Sequence, residues 1–299
     1  MYRVLGFLLR SEIAFPELRE ANLACEPGPN ERVVEVLVGP VPDSLPSGVQ
    51  LLDWFHFEEG RCLYLIGETG RMMVEGGSRI TFQLGQTAPI SDMRSYVLGT
   101  GLGTIVHQNG MVPLHVGAVL SPAGVLAFTG PSGAGKSTAV AAVNRQLGWP
   151  LVGDDLATLS LDGTTPTIDG GVRRLRLWRD AVERLGWSED DMTRDLHRAD
   201  KYITYDHGTF VDRPGPLIGV YEIDPDASPA SPEELRGAAK MSMFLNAVYR
   251  PFLVGPCRNH AALYRVAAGA LGRITCWRGA RPDIEDVVKL LKMKAKTSD

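Results

Sequence analysis

The chain has 299 residues, of which 44% are hydrophobic, and this is enough to bury one large core or two smaller ones. Its 31 basic and 35 acidic side chains give a formal net charge of -4, so no positive field would gather nucleic acid and we expect no nucleic-acid partner. No apolar run approaches the roughly 18 residues that cross a bilayer, and the opening MYRVLGFLLR lacks the cleavage site of a signal peptide. We therefore expect a cytoplasmic protein with no membrane partner, whose scattered cysteines are buried thiols: Cys25, Cys62, Cys257 and Cys276.

Residues 1–90 are predicted to form a smaller, strand-rich N-terminal domain. Short apolar or alternating runs with turn signals between them predict strands at residues 2–9, 33–38, 62–66 and 80–84. No residue in this part carries recognisable chemistry. We interpret it as an accessory domain that presents the acceptor, or a partner chain, to the second domain.

Residues 91–108 carry apolar side chains at partly helical spacing, which predicts a connecting helix. Gly99, Gly101 and Gly103 interrupt the pattern, and each lowers helix propensity by nearly ~1 kcal/mol. His107, near the end of this segment, is interpreted as an ordinary surface or packing residue. The domain boundary is placed just before the helix, so that residues 91–299 form the second domain.

The most informative stretch is GVLAFTGPSGAGKSTAVAAVNRQLGWPLVGDD, residues 124–155. It fits G-x-x-x-x-G-K-S/T, and the motif follows an apolar strand and opens a helix over residues 136–147. Backbone N–H groups of such a loop and the start of its helix bind phosphate, whereas the alternative is a chance Gly-rich turn. The pattern therefore predicts ATP and Mg²⁺ as cofactors, with Lys136 on the β- and γ-phosphates and Ser137 on the metal. The predicted nucleotide contacts are Gly130, Pro131, Ser132, Gly133, Ala134, Gly135, Lys136, Ser137 and Thr138.

Two aspartates follow this helix at a distance that returns them to the loop. A helix of about eleven residues travels roughly 17 Å from the phosphates, and about six extended residues come back nearly as far. The returning strand is expected to run parallel to the first strand in the same sheet. Asp154 and Asp155 are then in a position to hold a metal or to orient an attacking hydroxyl, although a solvated Asp-Asp turn is the alternative.

The order and spacing of PLHVGAV, GPSGAGKST and LVGDD resemble those of HPr kinase/phosphatase and of the related kinases that modify ribosomally made peptides, including lasso-peptide precursors. The resemblance implies an α/β fold with a P-loop-containing HPr kinase/PEP carboxykinase-like domain. It also implies that Asp154 is the base that receives the hydroxyl proton, that His115 lies close to it, and that Asp155 joins Ser137 at the metal. Without the resemblance, His115 reads as a core histidine on an apolar strand.

The remaining chain adds two cationic candidates. Arg176, in VRRLRLW, matches a recurring basic position of the peptide-modifying relatives, and Lys201 lies where they carry a lysine near a strand. The resemblance implies that both side chains contact phosphate. The alternative for each is an ordinary solvated basic side chain. Further on, a capping box of Ser231 and Glu234 predicts a helix over residues 232–249. Other predicted elements are strands at residues 156–161, 216–223 and 273–277 and helices beginning near residue 179 and covering residues 258–271 and 282–293.

These features, with the resemblance, predict a kinase that transfers the γ-phosphoryl group of ATP to a hydroxyl. The expected acceptor is a serine on a small protein or ribosomally made precursor peptide. Two alternatives stay open: a kinase for a small metabolite such as an amino acid or sugar, and a non-kinase, ATP-gated binding module. Against the module, the sequence contains neither the transporter L-S-G-G-Q signature nor the guanine-reading N-K-x-D signature. We cannot match the C-terminal signature of the phosphatase reaction. True HPr kinases form hexamers, so the resemblance leaves a homo-oligomer open.

Overall fold

The computed structural model describes residues 1–21, 31–195, 200–205, 208–211, 213–228 and 232–296. Helices mix with several sheets, in agreement with the α/β class. The chain divides into two compact units, one made of Met1–Pro113 and Tyr249–Arg265 and the other of Leu114–Val248 and Val266–Asp299. This division differs from the predicted boundary before residue 91. The helical segment after that boundary belongs with the N-terminal sheet because its side chains pack on it.

The first unit is built on a sheet in the order β1-β2-β3-β8-β7-β6-β5-β4. Its strands are β1 (Tyr2–Val4), β2 (Phe7–Ser11), β3 (Val33–Val38), β4 (Val49–Leu52), β5 (Phe55–Glu58), β6 (Arg61–Leu65), β7 (Gly70–Glu75) and β8 (Arg79–Leu84). The predicted strand over residues 2–9 is two strands, because Leu5 and Gly6 have positive φ angles of 53° and 85° and make a tight hairpin turn. A 3₁₀ turn at Gly67–Thr69 precedes β7.

The predicted connecting helix is present as α1 (Ile90–Tyr96), a π-helical turn (Val97–Gly101) and α2 (Leu102–Gln108). Its glycines permit close packing on the sheet. A Cβ atom at Gly101 would lie 3.2 Å from the side chains of both Met72 and Ile80. The hydroxyl groups of Tyr64 and Thr104 are also hydrogen-bonded at 2.6 Å.

The remaining strands are β9 (Val112–Leu114), β10 (Gly117–Ser121), β11 (Gly124–Thr129), β12 (Leu151–Gly153), β13 (Ala157–Asp162), β14 (Thr165–Asp169), β15 (Leu175–Trp178), β16 (Thr193–Arg194), β17 (Lys201–Thr204), β18 (Gly215–Ile223), β19 (Glu233–Glu234) and β20 (Thr275–Gly279). The remaining helices are α3 (Lys136–Leu147), α4 (Arg179–Arg184), α5 (Gly237–Asn246), α6 (His260–Leu271) and α7 (Ile284–Lys296). Two further 3₁₀ turns lie at Glu189–Asp191 and Pro251–Leu253.

The main sheet of the second unit brings the ends of several strands to the phosphate-binding motif. Strand β10 is antiparallel to both β11 and β12, so β12 runs in the same direction as β11 with one strand between them. The predicted direction of this strand is therefore confirmed. On the other side of β11, β18 and then β20 follow as parallel neighbours.

Helix α3 packs its apolar face into the core of this unit. Val140 and Val143 are buried, as the spacing predicts, and Leu147 packs against the same cluster. Gly148 ends the helix with a φ angle of 67°, a left-handed conformation that glycine adopts without strain. The cluster also takes in side chains of β11, β15 and α7: Leu126, Phe128, Leu175, Leu177, Val287 and Leu290.

For the helix predicted over residues 232–249, the predicted start is wrong. Glu233 and Glu234 form β19, which pairs with β20, and α5 begins only at Gly237. Ser231, the predicted cap, lies outside the described residues. Burial of Leu235, whose N–H donates to the carbonyl of Cys276 at 2.8 Å, favours sheet pairing over the local helix signal.

Two expectations drawn from composition can be compared with the structure. Cys62 and Cys276 are buried free thiols and Cys257 is a partly buried one, while Cys25 lies outside the described residues. None of the helices in the described ranges combines the length and the apolar character that a membrane span needs.

Candidate phosphate-binding and acidic site

The loop between β11 and α3 has the backbone that its glycines predict. Gly130, Gly133 and Gly135 have φ angles of 138°, 87° and 101°, where a side chain would be strained. Gly130 also lies close to a neighbouring strand, because a Cβ atom there would be 2.4 Å from the carbonyl oxygen of Ile223. Gly135 occupies the N-cap of α3 without a side-chain cap. The N–H groups of the first helical turn are therefore oriented to bind an anion.

Lys136 is held inside this loop. Its Nζ donates to the carbonyl oxygens of Gly130 at 2.9 Å and Pro131 at 3.0 Å. Burial lowers the pKa of Lys136, and the carboxylates of Asp154 and Asp155 act in the opposite direction. A lysine beside both the loop and the acidic pair has the position that contact with terminal phosphates requires.

Asp154 is buried at the end of β12 and contacts the start of α3. Its Oδ1 accepts from the Ser137 hydroxyl at 2.8 Å, and its Oδ2 accepts from the backbone N–H of Arg176 at 3.1 Å. Burial raises the pKa of Asp154, and the neighbouring Asp155 raises it further. Gly117 on β10 lets α3 pack closely next to this site, since a Cβ atom there would lie 2.9 Å from the side chain of Val140.

Asp155 shares Arg176 with Asp154 but also contacts His115. It has a φ angle of 79°, a left-handed conformation that is uncommon for a residue with a side chain. Its Oδ1 lies 3.4 Å from Nε2 of His115, and its Oδ2 lies 3.8 Å from Nη1 of Arg176. Burial raises the pKa of Asp155, but four cationic groups outweigh it and hold this pKa below its usual value: His115, Arg174, Arg176 and Lys201.

The contacts of the two aspartates are the reverse of the predicted pairs. The prediction joined Ser137 with Asp155 and His115 with Asp154, whereas the structure joins Ser137 with Asp154 and His115 with Asp155. His115 also lies between β9 and β10 rather than inside one strand. Arg176 contacts both aspartates, through its backbone N–H to Asp154 and its guanidinium to Asp155. Asp155 has a left-handed backbone, and sequence spacing carries no sign of that conformation.

A small sheet in the order β15-β17-β16 supplies cations to this site. Leu175 and Leu177 of β15 are buried in the core, so the residues that alternate with them face the other way. Arg176 is one of those residues, and it also forms an ion pair with Asp195. Lys201 lies with its Nζ 5.6 Å from the ring centroid of Trp178 and acts on both aspartates. The two predicted cations are therefore brought to the acidic pair.

Sequence reasoning missed Arg174, which directly precedes β15 and lies two residues before Arg176. Only 4% of Arg174 is exposed, and its Nε has no hydrogen-bond partner among the described residues. Its charge acts on Asp155. The period of two over residues 174, 176 and 178 was the available signal, because it assigns Arg174 to the same face as Arg176.

The oxygen atoms at this site fit Mg²⁺. The Ser137 hydroxyl and the carboxylates of Asp154 and Asp155 are hard oxygen donors, and Mg²⁺ is usually bound by one or two carboxylates together with substrate phosphates. Across the described ranges, no group of three or more His, Cys, Asp or Glu side chains could hold a metal ion by itself.

Comparisons with known proteins add little to this geometry. No protein-family model matches the chain, and no curated protein matches it. Among solved structures, the chain is similar to the Hpr(Ser) kinase/phosphatase from Coxiella burnetii, with 11% sequence identity and a TM-score of 0.33. That similarity covers 62% of this chain and 95% of the other.

Proposed function

We propose that this chain is an ATP-dependent kinase of the HPr-kinase-like type, which transfers the γ-phosphoryl group to a hydroxyl. The observation that carries the proposal is the hydrogen bond between Ser137 and Asp154, at 2.8 Å. It joins the first turn of the phosphate-binding helix to an acidic pair, and these are the parts that phosphoryl transfer needs in one place.

The phosphates would lie in the loop of residues 130–135, against the N–H groups at the start of α3. Lys136 would exchange its two loop carbonyls for the β- and γ-phosphate oxygens. Ser137 and Asp154 would hold Mg²⁺, which when bound neutralises charge on the phosphates. Arg176, Lys201 and the buried Arg174 would add positive charge on the side of Asp155.

Asp155 would orient the acceptor hydroxyl and receive its proton. The acceptor oxygen forms a bond to the γ-phosphorus while the bond from that phosphorus to the bridging oxygen of ADP breaks, and the proton passes to the Asp155 carboxylate. His115, at 3.4 Å from that carboxylate, would position it. This exchanges the roles that the sequence assigned to Asp154 and Asp155, and the contacts of Ser137 and His115 support the exchange.

The acceptor proposed is a serine of a small protein or ribosomally made precursor peptide, on the strength of the motif resemblance. Presentation of that acceptor by the N-terminal residues 1–90, a cytoplasmic location and homo-oligomerisation stay predictions. No described contact bears on any of the three.

The function can be tested by incubating the protein with γ-labelled ATP and with peptides encoded near its gene, and by locating the added phosphate by mass spectrometry. We expect label on a serine hydroxyl, and none with the Lys136→Ala variant. Label on a free amino acid or sugar would favour the small-metabolite kinase. Hydrolysis that no hydroxyl acceptor changes would contradict a kinase and favour the ATP-gated module.

A further inference from the structure

We propose that Arg281 is a further binding residue for the phosphate chain of the nucleotide. This inference rests on the proposed function, because it needs a nucleotide in the loop of residues 130–135. Arg281 lies far along the chain from that loop, and no motif marks it. Its position depends on the order of the parallel strands.

Three parallel strands bring Arg281 to the loop. Strand β18 is parallel to β11 on one side and to β20 on the other, so the carboxyl ends of all three lie at the same edge of the sheet. The phosphate-binding loop follows β11, and the segment with Arg281 follows β20. Ligands of open α/β sheets bind in the crevice outside the carboxyl ends of such strands.

The segment that carries Arg281 is fixed on both sides. The backbone N–H of Asp224 donates to the carbonyl of Gly279, and the Tyr221 hydroxyl donates to the carbonyl of Ala280, each at 2.8 Å. On the other side, the carboxylate of Asp283 accepts from the N–H of Asp286 at 2.9 Å, at the start of α7. Arg281 therefore belongs to a short connection with anchored ends rather than to a long free loop.

The side chain of Arg281 lies over the last glycine of the phosphate-binding motif. A Cβ atom at Gly135 would be 2.8 Å from Cδ of Arg281 and 3.5 Å from its Nη1. The residue is exposed, and within the described parts of the chain its guanidinium has no ion pair or hydrogen bond. A cation is thus held beside the anion-binding N–H groups of α3 without a carboxylate to neutralise it.

A guanidinium in this place suits phosphate better than any other part of a nucleotide. It offers N–H donors in a planar fork that matches two oxygen atoms of a phosphate, and charge-assisted hydrogen bonds of this kind are stronger than neutral ones. Because Gly135 adjoins Lys136 in the loop, the guanidinium lies with the phosphate-binding groups. We therefore assign Arg281 to nonbridging oxygens of the phosphate chain.

The test compares Arg281→Gln with Arg273→Gln, a matched change of an exposed arginine next to the opposite end of β20. Dissociation constants are measured by calorimetry for MgATP, inorganic tripolyphosphate and adenosine, with thermal unfolding as the check on folding. We expect Arg281→Gln to weaken MgATP and tripolyphosphate by about tenfold each, as loss of one charged hydrogen bond would. Arg281→Lys should recover part of that affinity, and Arg273→Gln should behave as the wild type.

The outcomes separate this inference from the proposed function. If the wild type binds MgATP and Arg281→Gln binds it equally well, Arg281 is no phosphate contact, while the kinase proposal stands. A loss for adenosine without a loss for tripolyphosphate would move Arg281 to the base and overturn the assignment. A wild type that binds neither MgATP nor tripolyphosphate would overturn the proposed function and this inference with it.

Discussion

His107 and His115 lie close together in the sequence but have opposite surroundings. His107, on α2, is 1% exposed, and its Nε2 donates to the carbonyl of Tyr249 at 3.0 Å. Its Nδ1 accepts from the side-chain amide of Asn259 at 3.1 Å, an amide that also donates to the carbonyl of Met111. The side chain of His115 is 38% exposed and lies beside the carboxylate of Asp155.

The difference shows what distinguishes a structural histidine from a functional one. Around His107 the partners are neutral, one a backbone carbonyl and the other a side-chain amide, so the ring acts as a link between segments of one compact unit. Around His115 the partners are ions, with two adjacent carboxylates and several arginines and lysines within reach of each other. Charges are gathered in this way where a ligand or a reaction uses them. Changes in the charged cluster should therefore alter transfer, and changes around His107 should alter stability.

The largest expected effect is in the charged cluster, from Lys136→Ala. Loss of the ammonium group that would contact the terminal phosphates should lower transfer by roughly a thousandfold, which is about 4 kcal/mol of activation barrier. Unfolding temperature should change little. Lys289→Ala, on the exposed face of α7, is the control and should keep full transfer. Equal transfer by the two variants would show that transfer does not need the charged cluster, and the contrast with the surroundings of His107 would be lost.

His107 should instead make the fold sensitive to acid. Burial lowers the pKa of His107 to about 4, against an ordinary value of 6.5, although its hydrogen bond to Tyr249 acts in the opposite direction. Between these two values the unfolded chain binds a proton that the folded chain does not, so stability is complete above pH 6.5 and falls as the pH drops toward 4. The loss amounts to about 3 kcal/mol.

Denaturant titrations from pH 7 to pH 4 would measure this effect, with His107→Gln as the comparison. The variant should be less stable at pH 7 and should lose less stability on acidification than the wild type. An identical pH dependence in the two proteins would show that His107 is not the group that titrates.

The smallest expected effect is that of His115→Asn. The ring is partly exposed and lies 3.4 Å from Asp155, so we expect it to position that carboxylate rather than to react. Transfer should fall by roughly tenfold, about 1.4 kcal/mol of barrier, with a changed pH profile and an unchanged unfolding temperature. A large loss of stability with normal transfer by the folded protein would make His115 a second structural histidine.

Local rules made much of the second unit predictable. The glycines of the loop, the length of α3 and its end at Gly148 follow from backbone conformations that few residues adopt. The direction of β12 follows from helix and strand lengths. Arg176 and Lys201 were identified through the resemblance, and the alternation of Arg176 with the buried Leu175 and Leu177 agrees with that choice for Arg176.

Features that depend on distant contacts were not predictable. The helix predicted from the capping box gives way at Glu233 and Glu234 to pairing with β20. A local feature was missed as well, because the hairpin between β1 and β2 places the bulky Leu5 at a positive φ that such residues rarely adopt. Asp155 adopts a left-handed backbone conformation, and no spacing rule reveals this conformation or the partners of the two aspartates. Arg281 reaches its place only because β18 lies between β11 and β20 as a parallel neighbour of both.

The most direct measurement compares Asp154→Asn with Asp155→Asn for MgATP affinity, for ATP affinity without Mg²⁺, and for transfer to the acceptor. In the wild type, Mg²⁺ should increase the affinity for ATP. Because Asp154 lies beside Ser137 and Asp155 beside His115, we predict that Asp154→Asn binds ATP equally well with and without Mg²⁺. Asp155→Asn should keep the gain in affinity that Mg²⁺ gives and lose transfer. The opposite pattern, in which Asp155→Asn loses the Mg²⁺ gain and Asp154→Asn keeps it, would contradict the division of roles proposed for the two aspartates.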